Sequence, residues 1–537
     1  MISFSASAGS STITVTDANN GAAVGDFVTY SQAVSLGGNI TAGVLNQDYE
    51  VTSVINSDIY TIEARSTDKS QIVPVVANSL DIGNGGFFIN AIYGIPSGYA
   101  STTFGYGWGS GNYGSQPFGL GGSTPITLMQ RDWWFDNFDN DLVMNIRKGA
   151  IYYWERGSLT NAATALGLRA IPLSSLLGAS DVPNAAMQVL VSQNDKHLLA
   201  FGCQPYGGAS TDYDPLLIRW ANQDEPQNWT PSITTSAGFI RVSRGSEIVR
   251  AIATRQEILV FTNSSIYSLQ YLGTTDVFGL QELADNISII GPRAVVTVNN
   301  VTYWMGQDKF YVYSGQVQTL PCTLRQYVFQ DINFNQVDQI VSGTNEGFTE
   351  VWWFYPSANS TWNNRYVIFN HLEGVWYYGT IVRTSWLDTA LRGNPIACKT
   401  EENSAIGYEY EHEVGVNDDN APMESFIQSS DYDLGDGEQF MLTRRLLPDF
   451  NFTNSTAATP TVTLTMRPKR FSGSAYANTA SDSQNVASTY ATLDQYTEQV
   501  FVRARGRQMA FKISSDGLGV QWQSGSHRLD VRPDGKR

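Results

Sequence analysis

Residues 247–321 decide the fold. The first half of this stretch reads EIVRAIATRQEILVFTNSSIYSLQYLG, and after a polar connection the second half reads GPRAVVTVNNVTYWMGQDKFYVYSGQVQTLP. β-Branched and aromatic residues suit a pleated, half-buried surface, and here they alternate with turn residues at 262–265, 299–300 and 306–308. The pattern predicts four short antiparallel strands in roughly 30 residues, repeated without a helix, which is typical of a β-propeller blade.

The same pattern extends over much of the chain. From Asp132 to Val414 it predicts about six blade-like units. We predict an all-β chain with a small β domain at 1–100, a linker rich in glycine and aromatic residues at 101–130, a β-propeller at 131–420 and a β-sandwich-like module at 421–537. Trp220 and Trp229 flank a polar loop and are predicted to be packing residues.

Composition agrees with a β-rich chain. Of 537 residues only 15% are charged, while 48 are glycine and 12% are aromatic. The net charge of −17 is the reverse of what a protein needs to grip nucleic-acid phosphates over its whole surface. No run of 18 apolar residues exists, so the sequence predicts no membrane-spanning segment, and its first residues lack the pattern of a signal peptide.

Residues that carry chemistry are sparse. The 4 histidines do not form an HExxH pattern, and no GxSxG pattern is present. The 3 cysteines, Cys203, Cys322 and Cys398, are far apart and are predicted to be buried free thiols rather than disulfides or zinc ligands. We therefore predict no enzymatic activity, no catalytic or metal site and no cofactor.

Charge is divided unevenly near the C-terminus. Residues 401–440 hold 12 acids and no lysine or arginine, including the clustered Asp431, Asp433, Asp436 and Glu438. Such a cluster is typical of a solvated turn, and a glycosidase pair or a calcium loop would also use carboxylates. Residues 501–537 hold 8 basic residues against 3 acids, and Arg503, Arg505, Arg507, Arg528 and Arg532 are among them.

Several phrases resemble one family. Five segments of the chain resemble tail hub, or nozzle, proteins of short-tailed bacteriophages. They are IRWANQDEPQNWTPS, IVRAIATRQEILVFTNSSIYSLQYLG, IIGPRAVVTVNNVTYWMGQDKFYVYSG, NRYVIFNHLEGVWYYGT and VRARGRQMAFKISSDGLGVQWQSG. The resemblance covers residues 131–537, although Ala221-Asn222 follows Trp220 where Ser-Asp is often found in the family. Members are also expected to begin with further residues ahead of the N-terminal β module.

The resemblance implies a structural protein of the virion tail, present in the host cytoplasm during assembly. It implies a propeller protomer in a homohexameric ring whose bore retains and delivers the genome, without sequence-specific DNA binding. The implied partners are other tail proteins, namely an adaptor and a tail fibre or needle.

Such a ring suggests where the acidic and basic residues near the C-terminus lie in the assembly. Acidic walls would let DNA slide, so Asp431, Asp433, Asp436 and Glu438 are predicted to face the channel. Arg503, Arg505, Arg507, Arg528 and Arg532 are predicted to face a neighbouring subunit. In the alternative, both patches face outward into solvent. Two other functions stay open, a carbohydrate-binding or depolymerising propeller that recognises a receptor, and a plain protein-interaction propeller.

Overall fold

The structure is a computed structural model of the chain. It describes residues 2–18, 20, 22, 24, 26–56, 58–67, 73–94, 101–104, 127–128, 130–156, 170–209, 212–274, 276–388, 393–400, 407–476 and 488–536. Most of the predicted linker at 101–130 lies outside these residues. The chain divides into two compact units, Met1–Glu411 and His412–Arg537, called here the first and the second unit.

The first unit begins with a small β domain. Its two antiparallel sheets have the strand orders β1-β2-β6-β5 and β4-β3-β7. The strands alternate between buried and exposed residues, so β2 buries Ile13 and Val15 in the core of this domain. The elements are β1 (Ser3–Ala6), β2 (Thr12–Thr16), β3 (Phe27–Ser31), α1 (Ala42–Leu45), β4 (Asp48–Glu50), β5 (Ser53–Asn56), β6 (Ile59–Glu63) and β7 (Asn90–Gly94).

One buried carboxylate organises the loops of this domain. Asp81 is 3% exposed and accepts hydrogen bonds from the backbone N–H groups of Gly38, Asn39, Ile40 and Asn78 at 2.8 to 3.0 Å. Burial disfavours its charged form, but these four donors outweigh burial and hold the pKa of Asp81 below its ordinary value. The carboxylate therefore ties the loop before α1 to the loop before β7.

Two short strands, β8 (Thr103–Phe104) and β9 (Thr127–Leu128), pair with each other, and six successive antiparallel sheets then follow. Sheets 1 to 5 have four strands each and sheet 6 has three, always in chain order. They are sheet 1, β10 (Trp133–Phe138), β11 (Asp141–Ile146), β12 (Ile151–Trp154), β13 (Ala170–Pro172); sheet 2, β14 (Ala186–Ser192), β15 (His197–Cys203), β16 (Asp214–Trp220), β17 (Gly238–Arg241); sheet 3, β18 (Ile248–Ala253), β19 (Ile258–Thr262), β20 (Ser265–Tyr271), β21 (Phe278–Asp285); sheet 4, β22 (Val295–Val298), β23 (Val301–Met305), β24 (Phe310–Tyr313), β25 (Val317–Leu320); sheet 5, β26 (Val341–Asn345), β27 (Glu350–Pro356), β28 (Asn363–Asn370), β29 (Val375–Gly379); and sheet 6, β30 (Ser385–Leu387), β31 (Ile396–Thr400), β32 (Gly407–Glu411).

These sheets are the blades of a β-propeller, as predicted. Successive blades touch through their first strands, β10 to β14, β14 to β18, and onward to β30. The side chain of Gln188 on β14, for example, bonds both backbone groups of Ala251 on β18 at 2.7 Å. A helix α2 (Arg325–Gln330) and short 3-10 turns at Leu173–Ser175, Phe334–Gln339 and Glu346–Phe348 lie between strands.

The stretch at 247–321 forms blades 3 and 4. Asn299 and Asn300 have φ values of 49° and 66°, so they form the left-handed turn that joins β22 to β23 in a tight hairpin. The predicted polar connection is wrong in one respect, because it contains β21. That strand is the outermost of its sheet, and polar residues interrupt its apolar pattern, so only Phe278 of it is buried and the hydrophobic signal is weak.

Two further predictions concern single residues. Trp220 and Trp229 are both buried, and their indole N–H groups donate to the carbonyls of Ser236 and Pro226 at 2.8 Å, which confirms their packing role. The prediction of three buried thiols is wrong. Only Cys203 is buried, whereas Cys398 follows the buried Ala397 on β31 and lies on the opposite, exposed side of that strand.

The second unit is also built from antiparallel strands. Its larger sheets have the orders β35-β41-β38-β39 and β40-β36-β43, and residues from both enclose one apolar core. The strands are β33 (Asn417–Asp418), β34 (Ala421–Pro422), β35 (Ser425–Gln428), β36 (Met441–Leu447), β37 (Phe450–Asn451), β38 (Thr461–Lys469), β39 (Thr489–Asp494), β40 (Val500–Gly506), β41 (Gln508–Ser515), β42 (Gln523–Ser524) and β43 (Arg528–Pro533).

Candidate functional site

The four acids singled out in the sequence lie on the loop between β35 and β36. Asp431 is partly buried and accepts from Lys469 Nζ at 2.5 Å and from the Tyr476 hydroxyl. Burial disfavours its charged form, but Lys469 and Tyr476 outweigh burial and lower the pKa of Asp431. Its charge is therefore locally compensated.

The other three acids are exposed. Glu438 pairs with Lys536 at 2.8 Å, and Asp433 accepts from the Gln508 side chain at 3.5 Å. Asp433 and Asp436 have no basic partner among the described residues, so they carry the uncompensated charge of this loop. The prediction that the four acids face a channel in the assembly stays a prediction.

The five predicted basic residues lie on two strands and a turn. Arg503 and Arg505 are on β40, Arg528 and Arg532 are on β43, and Arg507 follows β40. Within the chain, Arg505 pairs with Asp534 at 2.5 Å and Arg532 with Asp530 at 3.6 Å, while Arg507 donates to the Lys536 carbonyl at 3.2 Å.

The structure brings parts of the two predicted groups together. The Arg505 and Arg507 guanidinium carbons lie 4.2 and 5.2 Å from the ring centroid of Phe440, which follows the acidic loop by two residues. The backbone of Phe440 also pairs with Asp534 and Gly535. The end of the acidic loop and the ends of the basic strands therefore meet within one unit.

Two further arginines that were not predicted from the sequence lie beside these basic residues. Arg444 and Arg445 lie on β36, which is the strand between β40 and β43. They fall outside the basic C-terminal stretch, and only the strand register places them beside it. The one signal in the sequence was an Arg-Arg pair inside a strand that is otherwise apolar.

Ser524 and His527 lie as close together as a catalytic serine–histidine dyad, but the hydrogen bonds of the histidine do not suit that role. His527 Nε2 lies 2.7 Å from Ser524 Oγ, while its Nδ1 accepts the backbone N–H of Asp449 at 3.1 Å. Because Nδ1 accepts, the neutral ring carries its proton on Nε2 and donates to the serine. A general base for serine needs the opposite tautomer, held by an acceptor at Nδ1.

A charged cluster lies where blades 1, 3 and 4 approach one another. Arg250 and Arg293 place their guanidinium carbons 4.1 and 4.0 Å from the ring centroid of Trp134. Arg293 pairs with Asp132 at 2.8 Å. The buried Nε and Nη1 of Arg250 have no hydrogen-bond partner in the described part of the chain. Burial, aided by Arg293, lowers the pKa of Arg250 to about 9. The cluster links non-successive blades.

An open polar groove of about 520 Å³ lies beside the first turns of blades 3 and 4. It is lined by Ala253, Thr254, Arg255, Thr297, Asn299 and Asn300. Its hydroxyl, amide and guanidinium groups are suited to a polar ligand. Among the described residues, no three His, Cys, Asp or Glu side chains are grouped for a metal, and no helix is long and apolar enough to cross a membrane.

Charge differs between the two units. The second unit contains 13 basic and 15 acidic residues, a net charge of −2, which leaves −15 of the total −17 to the first unit. The first unit is therefore the strongly acidic body, and the second unit separates its charges into local patches.

No family model and no curated protein matches this chain. Among solved structures it is similar to the extracellular domain of BT4673 from B. thetaiotaomicron, with a TM-score of 0.33, 8% identity and 52% of this chain covered. The match spans about a third, 33%, of the length of that domain.

Two other solved structures are similar at the same distant level. The N-terminal domain of Nup159 has a TM-score of 0.28 and 11% identity, covering 52% of this chain and 76% of that one. The phage phi92 endosialidase has a TM-score of 0.19 and 11% identity, covering 79% of this chain and 58% of that one. Because all three likenesses are distant, the fold rests on the sheet order described above.

Proposed function

We propose that the protein is a structural component of a short-tailed bacteriophage tail, a hub or nozzle subunit that forms a homohexameric ring. The bore of the ring retains the genome and passes it during ejection, without reading its sequence. An adaptor and a tail fibre or needle would adjoin the ring. On this proposal the protein is not an enzyme, needs no cofactor, and resides in the virion after assembly in the host cytoplasm.

One observation carries the proposal. The phrases that resemble hub proteins coincide with the strands that build the blades and the second unit. IVRAIA, ILVFT and SIYSLQY are β18, β19 and β20, whereas VFVRARG and QMAFKISS are β40 and β41. The resemblance therefore includes the framework of the fold, in addition to connecting loops, and contains no catalytic motif.

The negative charge of the chain suits a channel through which DNA passes. Duplex DNA carries about one negative charge per 1.7 Å, so a basic bore would hold it and an acidic bore would let it slide. Six copies carry a formal charge of six times −17. Exposed charges act over a Debye length of about 8 Å at physiological salt, so acids lining a bore repel DNA that passes close to them.

The acidic loop tests this proposal. In assembled particles, Asp433→Asn with Asp436→Asn should slow DNA ejection and make its rate depend more strongly on salt, because a repulsive wall has been neutralised. A matched control is Glu498→Gln with Asp516→Asn, which removes the same charge from exposed acids of the same unit outside residues 401–440. Unchanged ejection in the first variant, or equal slowing in both, would contradict a channel-facing loop.

The alternative is carbohydrate recognition, and the polar groove beside blades 3 and 4 favours it. Hydroxyl and amide side chains with one exposed arginine can bind sugar hydroxyls and carboxylates. Purified protein that binds or cleaves host polysaccharide, with the effect lost in Arg255→Gln, would establish this function in place of the conduit. We expect no release of reducing ends.

A further inference from the structure

The sheet β40-β36-β43 has two different faces. Its inner face contributes Met441, Leu446, Val502 and Ala504 to the apolar core of the second unit. Besides Asp530, which lies opposite Arg445, its outer face carries arginines from all three strands. These are Arg444 and Arg445 on β36, Arg503 and Arg505 on β40, and Arg528 and Arg532 on β43. We call these six residues the arginine face.

The register explains why two successive arginines share this face. Against β43, pairing passes from Thr443–Val531 to Arg445–Asp530, which leaves Arg444 as the extra residue of a β-bulge. A bulge turns an additional side chain toward the same side of the sheet. Arg445 also lies opposite Phe501, which is 76% exposed and so confirms which side is outermost.

Much of this positive charge is not compensated. Arg505 and Arg532 have acid partners in the chain, whereas Arg444, Arg503 and Arg528 are exposed and have none among the described residues. These three arginines leave the face with a local excess of positive charge, which an anionic partner would neutralise. The free chain therefore presents a surface suited to an anionic partner.

The composition of the face indicates a protein partner. Its basic residues are all arginine, with no lysine, and the exposed Phe501 and the acid Asp530 share the face. Arginine forms bidentate bonds with carboxylates and is enriched with aromatic residues at protein interfaces, where lysine is depleted. Lysine would raise the local positive charge equally well, so the use of arginine alone favours a protein partner.

We propose that the arginine face binds the acidic first unit of a second copy of this chain. Charge complementarity selects this occupant, because the first unit carries −15 of the net charge. The inference rests on the proposed ring and names the contact that would hold it together. It adds Arg444 and Arg445 to the interface and excludes Arg507, which lies beyond the end of β40 and so is not part of this sheet.

The test compares two triple variants by sedimentation velocity at low and high salt. Arg444→Gln, Arg503→Gln and Arg528→Gln together should weaken self-association about tenfold or more, since three interfacial charge pairs are lost. The control, Arg467→Gln, Arg470→Gln and Lys512→Gln, removes the same charge from or beside β38 and β41 of the other sheet and should assemble like the wild type.

Each outcome is informative. Normal assembly of the first variant, or equal weakening of both, would overturn the arginine face while leaving the ring intact. A wild type that stays a single copy would overturn the ring and the interface together. Tight binding of a DNA duplex, lost only in the first variant with assembly unchanged, would assign the face to nucleic acid instead.

Discussion

Replacing Arg219 by methionine should lower the free energy of unfolding of the first unit by about 3–5 kcal/mol. Arg219 lies on β16 and is 1% exposed. Its guanidinium donates to the carbonyls of Gln204, Asp181 and Trp229 at 2.9 to 3.2 Å, and to the Asp181 carboxylate at 2.6 Å. Methionine fills similar volume but leaves these acceptors without a donor, which is costly in a buried site.

A neighbouring ion pair provides the control. Arg241 on β17 pairs with Asp214 at 2.7 Å, but its side chain is largely exposed. Arg241→Met should leave stability nearly unchanged, because exposed pairs contribute little. Denaturant unfolding followed by tryptophan fluorescence measures both variants. Equal stability of Arg219→Met and the wild type would show that the buried contacts do not form.

Replacing Asp81 by alanine should destabilise the N-terminal β domain by about 4 kcal/mol or more, since four backbone N–H groups lose their shared acceptor. Hydrogen exchange at residues 38–40 and 78 measures the effect directly. Protection as slow as in the wild type would contradict the account.

The wild-type domain should also lose stability in acid. The folded pKa of Asp81 is depressed, so its contribution is fully present above the unfolded pKa of about 4 and is lost as pH falls through the lower folded value. Asp81→Asn should start less stable and show less of this acid dependence. Asp48→Asn, at an exposed acid of the same domain, should behave like the wild type.

Local sequence pattern predicted the blades well. The hairpin from Ile258 to Tyr271 and the turn at Asn299-Asn300 were found because alternation and turn residues are local signals. The outer strand β21 was missed because only Phe278 of it is buried and polar residues interrupt its apolar pattern. The thiol of Cys398 was misjudged because the sequence does not show which side of β31 faces the core; Ala397 is buried and Cys398 lies on the other side.

The charged contacts were beyond the sequence for a different reason. Arg219 and Asp181 are 38 residues apart, and Asp81 meets Ile40 across 41 residues, so no periodic pattern links them. Arg444 joins Arg503 and Arg528 only through strand register, and register is set by the core rather than by the charges themselves. The sequence located the charge imbalance, and the fold determined which charges pair.

The most direct test of the central claim is native mass spectrometry of the purified full-length chain, combined with averaged electron images of the same sample. The account predicts six times the 59.1 kDa chain mass and a six-fold ring with an open bore. It also predicts that Asp433 and Asp436 line that bore. A single 59.1 kDa copy at every concentration, with no ring in the images, would contradict it.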